Sequence, residues 1–380
     1  MILCLKKNFV SLALGAIILN VRVFEEEKNV IYSDVLFSFL LTNLPSVREP
    51  GHIIGPVAAV MGRIYNMLFN FLHSNSGAGS LGLAIIIFTL IVKLILFPLM
   101  VKQQKSSFKM QQMQPEMNKI RKKYEGKKDQ MSQQRMAYEL QEFQKKNGIN
   151  MMGGCLPILI QLPILYALFY LFQNAYVYVD AIGQNYTDIA NVIVNIPRDL
   201  RMEVFQPFAQ QFADTYKNVA AVKDGFDMGD ANEVVMLINY LKAGDWNTIV
   251  HQLGTAGDAL KPLLATKNNI ETFLTIPLVS KAGLSFPGVI IPIAAGLSTY
   301  LQSKLTMAMN PSQNDPSNPA AAMTKSMIYT MPIVMGVFSV NMPAGLGLYW
   351  TISNIFGILQ QVVLQKHFKK KFAEEAEQNG

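Results

Sequence analysis

The chain has 380 residues, 51% of them hydrophobic and only 16% charged, with a formal net charge of +7. A charged share well below the roughly one quarter usual in soluble domains, with apolar residues gathered in long blocks, excludes a large soluble core and indicates an all-α polytopic membrane protein. Two cysteines, Cys4 and Cys155, exclude a disulfide framework, and neither they nor the four scattered histidines have metal-ligand spacing.

No Gly-rich phosphate loop, nucleophile elbow or paired-carboxylate arrangement is visible, so neither an enzyme nor a cofactor is expected. Residues 1–22 are predicted to be a signal peptide or a signal anchor. Lys6 and Lys7 precede an apolar run, Phe9 to Val21, that is short for a span. Within 23–80, expected outside the membrane, residues 55–73 are predicted helical. Arg63, Asn66, Asn70 and His73 share one face of an otherwise apolar helix, which suits a helix lying in the interface; a plain span is the other reading.

Residues 81–101 form the first predicted transmembrane segment, and Lys93 is its only charge. At about 1.5 Å of rise per residue, Lys93 lies about 13 Å from Lys102 at the basic end. That is near the middle of a hydrocarbon core of about 30 Å. An ammonium there costs on the order of 3 kcal/mol, so it should face water or a partner. The bland reading is that it snorkels to the interface.

Residues 102–152 are predicted to be a helical hairpin, with helices at about 103–124 and 129–146 on either side of Gly126. Pro115 should kink the first helix or reset its start. Methionines 110, 113, 117, 131 and 136 line the hairpin, either as an adaptable binding surface or as glue between its helices. Segment 102–152 carries twelve Lys/Arg against five Asp/Glu, and 180–285 carries eight against twelve. The positive-inside rule therefore puts the hairpin in the cytoplasm and 180–285 outside.

The second predicted span, 153–179, contains Cys155 as a small packing residue and should bend at Pro157 and Pro163. Segment 180–285 should hold several short helices, Asn232–Lys242 the clearest, and no strong strand pattern; a bracing role is expected. A third span at 286–303 leads to a cytoplasmic loop at 304–325. A fourth span at 326–341, a turn at Met342–Gly345 and a fifth span at 346–364 follow. The tail 365–380 begins with the basic run Lys366–Lys371, which places it in the cytoplasm. The five-span core is thus N-out and C-in. No internal repeat is visible, which argues mildly against common transporter folds.

Four blocks carry a resemblance. They are Leu83–Leu99 with its following Gln/Lys/Met-rich hairpin, Gly153–Ile164, Thr299–Lys304, and Met331-Pro-Ile-Val with Met342–Asn354. In order, spacing and loop charge the chain resembles the YidC/Oxa/Alb family of membrane-protein insertases, in the five-span form of Gram-positive bacteria. The resemblance covers about 81–179 and 286–366. It implies five transmembrane helices around a hydrophilic groove, open to the cytoplasm and to lipid. It implies a groove cation, an arginine in the family and Lys93 here, with Thr89, Gln302 and Trp350 at the other polar positions. Lysine keeps the charge but lacks the bidentate fork.

The resemblance further implies residence in the bacterial cell membrane and nascent membrane proteins as substrates. Its other implied partners are the lipid bilayer, the ribosome and the general secretion translocase. A monomer is expected, since one groove suffices. The rival from another class is an anion transporter or channel that uses Lys93. A third reading is a chaperone that assembles membrane proteins without inserting them.

Overall fold

A computed structural model describes residue 51 and residues 54–76, 80–127, 129–148, 156–217, 226–309 and 319–379. The predicted leader at 1–22, both cysteines and the stretch 310–318 lie outside the described residues. The protein is predominantly helical. The elements in chain order are α1 (Ile54–Ser76), α2 (Ser80–Gln112), α3 (Gln114–Lys123), α4 (Gln130–Lys146), α5 (Leu156–Gln173) and α6 (Ala175–Tyr178). After them come α7 (Asp180–Val194), α8 (Arg198–Tyr216), α9 (Ala231–Tyr240), α10 (Ala243–Leu253) and α11 (Leu260–Glu271). A two-stranded hairpin, β1 (Thr272–Phe273) and β2 (Ile276–Pro277), precedes α12 (Ile290–Met309), α13 (Pro319–Val340) and α14 (Ala344–Asn379).

Among the described residues, α2 alone is long and apolar enough to cross a bilayer by length and composition; Gln161–Gln173 and Ile328–Val340 are shorter apolar segments. Only 28% of the most apolar stretch of α2 is buried within the protein. The core helix of a soluble domain would be mostly covered, so most of this surface is left for another medium.

Helix α14 is the hub of the apolar helices. It packs on α2, α5, α12 and α13, while α1 packs on both α2 and α5. Ala58, Met61, Tyr65 and Phe69 recur at helical spacing and form the buried face of α1. Tyr65 meets Phe88 of α2 and Phe172 of α5 edge-on, at 6.0 and 5.9 Å between ring centres, and donates to the Leu81 carbonyl at 3.1 Å. Val60, Met67 and Phe71 remain exposed on α1, alongside Arg63 and Asn70. Between α12 and α13 the backbones approach closely, because Gly296 faces Gly336 and the Pro332 carbonyl.

Two helices run further than the apolar pattern alone suggests. Helix α2 continues past Val101 to Gln112 because no breaker intervenes, and Pro115 resets the chain at the first turn of α3. Helix α14 continues past Leu364 to Asn379. The extensions are joined by Phe108, which stacks on Phe372 at 5.3 Å and packs with Leu364 and Phe368.

Helices α3 and α4 pack on each other, while residues 103–112, expected in the first helix of the hairpin, instead continue α2. Lys123 Nζ lies 2.9 Å from Glu139, and the Tyr124 hydroxyl donates to the same carboxylate at 2.8 Å. The Lys123 and then the Tyr124 hydrogen bonds hold the Glu139 carboxyl below its usual range. Asp129 caps α4 by accepting from the Ser132 amide at 2.8 Å.

Among its described residues, segment 180–285 is mostly helical and includes the β1–β2 hairpin, whose strands are two residues each. Strands this short leave no alternating pattern to read in the sequence. Among its attachments to the apolar helices are the following. Asn66 of α1 donates to the Asp180 carboxylate at 2.7 Å and accepts from the Asp180 amide at 3.1 Å. The chain at 278–283 pairs with the α13–α14 turn through Gly345 N to Leu278 O, Ala344 N to Ser280 O and Ala282 N to Met342 O, at 2.8–3.1 Å.

Inside the segment, the nearly buried Glu271 accepts from the Tyr186 hydroxyl at 2.7 Å and from Lys267 Nζ at 2.6 Å. Lys267 also sits 5.2 Å above the Tyr186 ring. Burial, with the Glu271 carboxylate beside it, holds the Tyr186 hydroxyl well above its ordinary range, so it remains a donor.

Glu271→Ala leaves a buried ammonium and a buried hydroxyl unpaired. It should cost about 3 kcal/mol, read as a fall in thermal unfolding temperature in detergent, whereas Asp258→Ala in the exposed pair with Lys261 should cost under about 1 kcal/mol. In the α3–α4 hairpin, a depressed carboxyl stabilises above its unfolded pKa and loses that effect as pH falls through the folded value. Glu139→Gln should therefore speed amide exchange in α3 and α4 at neutral pH, and wild type and variant should converge below about pH 4.

Candidate functional site

The sequence points to Thr89, Lys93, Gln302 and Trp350, and the structure sorts them into two groups. Thr89 and Lys93 lie one turn apart on α2. Thr89 is fully buried, and its hydroxyl donates to the Ile85 carbonyl one turn back at 2.6 Å. That bond satisfies the hydroxyl within its own helix. Lys93 is half-buried and makes no ion pair or hydrogen bond among the described residues. Its immediate neighbours in sequence are Val92 and Leu94, and Leu94, Ile95 and Phe97 are exposed.

Gln302 and Trp350 belong to a polar ladder between α12 and α14. Trp350 Nε1 donates to Thr299 Oγ1 at 2.9 Å. The buried Asn354 stands one turn beyond Trp350, with its amide 2.9 Å from Thr299 Oγ1 and 3.1 Å from Ser298 Oγ. With the amide oriented so that its oxygen accepts from Ser298, Thr299 and Trp350, its NH2 donates to Gln302 Oε1 at 2.7 Å. That orientation satisfies both ends of the amide. Gly357 makes room for Gln302, since a Cβ there would fall 2.6 Å from its amide nitrogen. Two turns beyond Asn354, Thr306 Oγ1 meets Gln361 Oε1 at 3.2 Å.

A third polar link closes the set on α5, where Gln161 Nε2 donates to the Tyr349 hydroxyl of α14 at 2.7 Å. Helix α14 thus carries Tyr349 towards α5 and Trp350 with Asn354 towards α12, and it also packs on α2 and α13. No hydrogen bond joins Thr89 or Lys93 to Gln302 or Trp350; the two groups are related through α14.

Residue reasoning singled out neither Asn354 and Ser298 nor Gln161 and Tyr349. The signal for them was present, since each is a polar group in an otherwise apolar stretch, where an unpaired group is costly. A separate recess of about 920 Å³ lies away from these helices, bounded by α10 and α11 and lined in part by Trp246, His251, Lys267 and Glu271. Among the described residues no group of histidines, cysteines or carboxylates has the arrangement to hold a metal ion.

The ladder has no bond-making chemistry of its own. It offers hydrogen-bond donors and acceptors within apolar helices, beside a helix carrying an unneutralised cation. Asn354→Leu removes the amide shared by Ser298, Thr299, Gln302 and Trp350. It should lower stability by about 1–2 kcal/mol in a thermal melt. It should also shift the Trp350 emission in a Trp246→Phe background, because the indole N–H loses the Asn354 acceptor and keeps only Thr299 Oγ1.

With the geometry in place, the chain can be set beside known proteins. The model of the family described as 60Kd inner membrane protein matches residues 71–229 and 244–371, a range that includes all four predicted site residues. Membrane protein insertase YidC 2 of Bacillus anthracis is 28% identical over 77% of this chain and 74% of its own length. Membrane protein insertase YidC of Oceanobacillus iheyensis is 31% identical over 76% of each chain. Membrane protein insertase MisCA of Bacillus subtilis is 29% identical over 79% of this chain and 76% of its own.

Proposed function

This chain belongs to the 60Kd inner membrane protein family, and on that premise we propose that it is a membrane-protein insertase that also assists the folding of its substrates. The observation that carries the reading is Lys93, a half-buried cation on an apolar helix with no protein partner among the described residues. An ammonium inside a span cannot be left to hydrocarbon, so water must reach it. A hydrated recess beside α2 is the physical meaning of a groove.

In this reading α2, α5, α12, α13 and α14 are five spans, with α3 and α4 in the cytoplasm and 180–285 outside. The core is N-out and C-in in a bacterial membrane. Thr89 and Lys93 line the groove on one helix, and Gln302 and Trp350 line it on the others. The ladder through Asn354 keeps α12 and α14 in fixed register, so the polar wall does not collapse onto the cation.

A nascent span with a short outward-bound tail must carry polar groups through hydrocarbon, at several kcal/mol for each unsatisfied backbone group. The hydrated recess shortens that barrier. Lys93 attracts acidic tail residues where the dielectric is reduced, and the apolar part of the substrate then partitions into lipid along the exposed faces of α2 and α5. No cofactor enters the process. The α3–α4 hairpin receives the chain from the ribosome or the general secretion translocase, and one copy is sufficient.

The test is insertion of a single-span substrate with one Asp in its short N-terminal tail into liposomes containing the purified protein. Tail protection from added protease is the readout. Lys93→Ala should reduce protection about tenfold, the factor that about 1.4 kcal/mol of lost attraction produces, and Lys93→Arg should restore it. A neutral-tailed substrate should respond much less. Equal insertion of the Asp-tailed substrate by wild type and Lys93→Ala would remove the cation from the mechanism, and wild type no better than empty liposomes would remove the insertase reading.

A further inference from the structure

The three most exposed large apolar side chains among the described residues are Leu274, Leu284 and Phe286, at 77, 75 and 81% of full exposure. All three lie between α11 and α12: Leu274 and Leu284 in the part of the chain read as outside the membrane, and Phe286 at the first residue of the third predicted span. Their placement says what covers them.

Leu274 and Thr275 are the two turn residues between β1 and β2, and both have positive φ, 47° and 70°. A two-residue turn of this kind favours Asn-Gly, because a β-carbon is penalised at both positions. Leucine therefore does not serve the turn, and at 77% exposure it does not serve the protein core. What remains is its apolar surface.

The hairpin is held at a defined height. Phe273 packs directly over Gly82, where a Cβ would fall 2.1 Å from its ring. Leu83, Phe273, Leu274 and Thr275 line one recess of about 350 Å³. Gly82 and Leu83 are in the first turn of the apolar stretch 81–101. The tip is thus level with the end of α2 where the apolar stretch begins, rather than raised above it.

Phe286 continues a second pattern. Ile290, Ile293, Leu297 and Leu301 form an exposed stripe on α12 at spacings of three and four. Phe286 lies four residues before Ile290 and extends that sequence pattern beyond the helix start. An aromatic ring at the end of a lipid-facing stripe is placed as interfacial aromatic residues are.

Resting on the span assignment above, we propose that the β1–β2 tip and the Leu284–Phe286 segment insert into the outer leaflet at the boundary between headgroups and acyl chains. The segment 180–285 is then seated on the lipid surface at Leu274 and Leu284, with Phe286 directly after it, as well as on the helices through Asn66 and the α13–α14 turn.

Spin labels on single cysteines test this in the full chain reconstituted in vesicles, with Cys4→Ser and Cys155→Ser removing the native thiols. The probes are Leu274→Cys, Phe286→Cys and Leu297→Cys, with Asn247→Cys on the exposed face of α10 as the aqueous standard. All four positions are exposed, so none disturbs the core. Oxygen, which concentrates in lipid, should relax the label more effectively than a water-soluble nickel chelate at 274, 286 and 297. The order should reverse at 247. Chelate-dominated relaxation at 274 or 286, with 297 still in lipid, overturns the proposal and leaves the span assignment intact. Chelate-dominated relaxation at 297 as well overturns the span assignment and this inference with it.

Discussion

Hydrocarbon offers no hydrogen bonds, so each polar group on an apolar helix must find a partner in the protein or meet water. The polar side chains of α2, α5, α12 and α14 divide along that line. Thr89 turns back onto the Ile85 carbonyl, Gln161 finds Tyr349, and Ser298, Thr299, Gln302, Trp350 and Asn354 satisfy one another. Lys93 has none of these solutions among the described residues. The pairing of the neutral groups and the isolation of the cation are two outcomes of one constraint. The first holds helices together, and the second is what the proposed hydrated groove answers.

The position of α14 makes both outcomes compatible. One helix presents Tyr349 to α5, Asn354 to α12 and other faces to α2 and α13. Fixing α14 against α12 with a polar ladder, rather than with side-chain packing alone, sets rotation as well as distance, because hydrogen bonds are directional. Beyond the apolar stretches, Phe108 and Phe372 join α2 to α14 again, so the helix bearing Lys93 is braced at that end too.

Leu83–Leu99, Thr299–Lys304 and Met331–Val334 each lie within one helix, as do the apolar runs 81–101, 326–340 and 346–364. Helix ends were less legible. The continuations of α2 to Gln112 and of α14 to Asn379 meet through the contact of Phe108 with Leu364, Phe368 and Phe372, and side chains so far apart in sequence leave no periodic trace. The β1–β2 hairpin was illegible for a local reason as well: its strands are too short for alternation, and its turn carries Leu274-Thr275 where turn chemistry asks for Asn-Gly.

By itself the sequence determined that the chain is a helical membrane protein, that one lysine sits within an apolar segment, and that Thr89 shares a helix face with it. These follow from composition and helical period, which act over a few residues. Tertiary structure alone decided which polar groups are neutralised. Asn354 reaches Ser298 and Thr299 across 55 or 56 residues, Gln161 reaches Tyr349 across 188, and Glu271 reaches Tyr186 across 85. No local rule relates residues so distant. The partner of a buried polar group is fixed by how helices pack, and packing is a property of the whole chain.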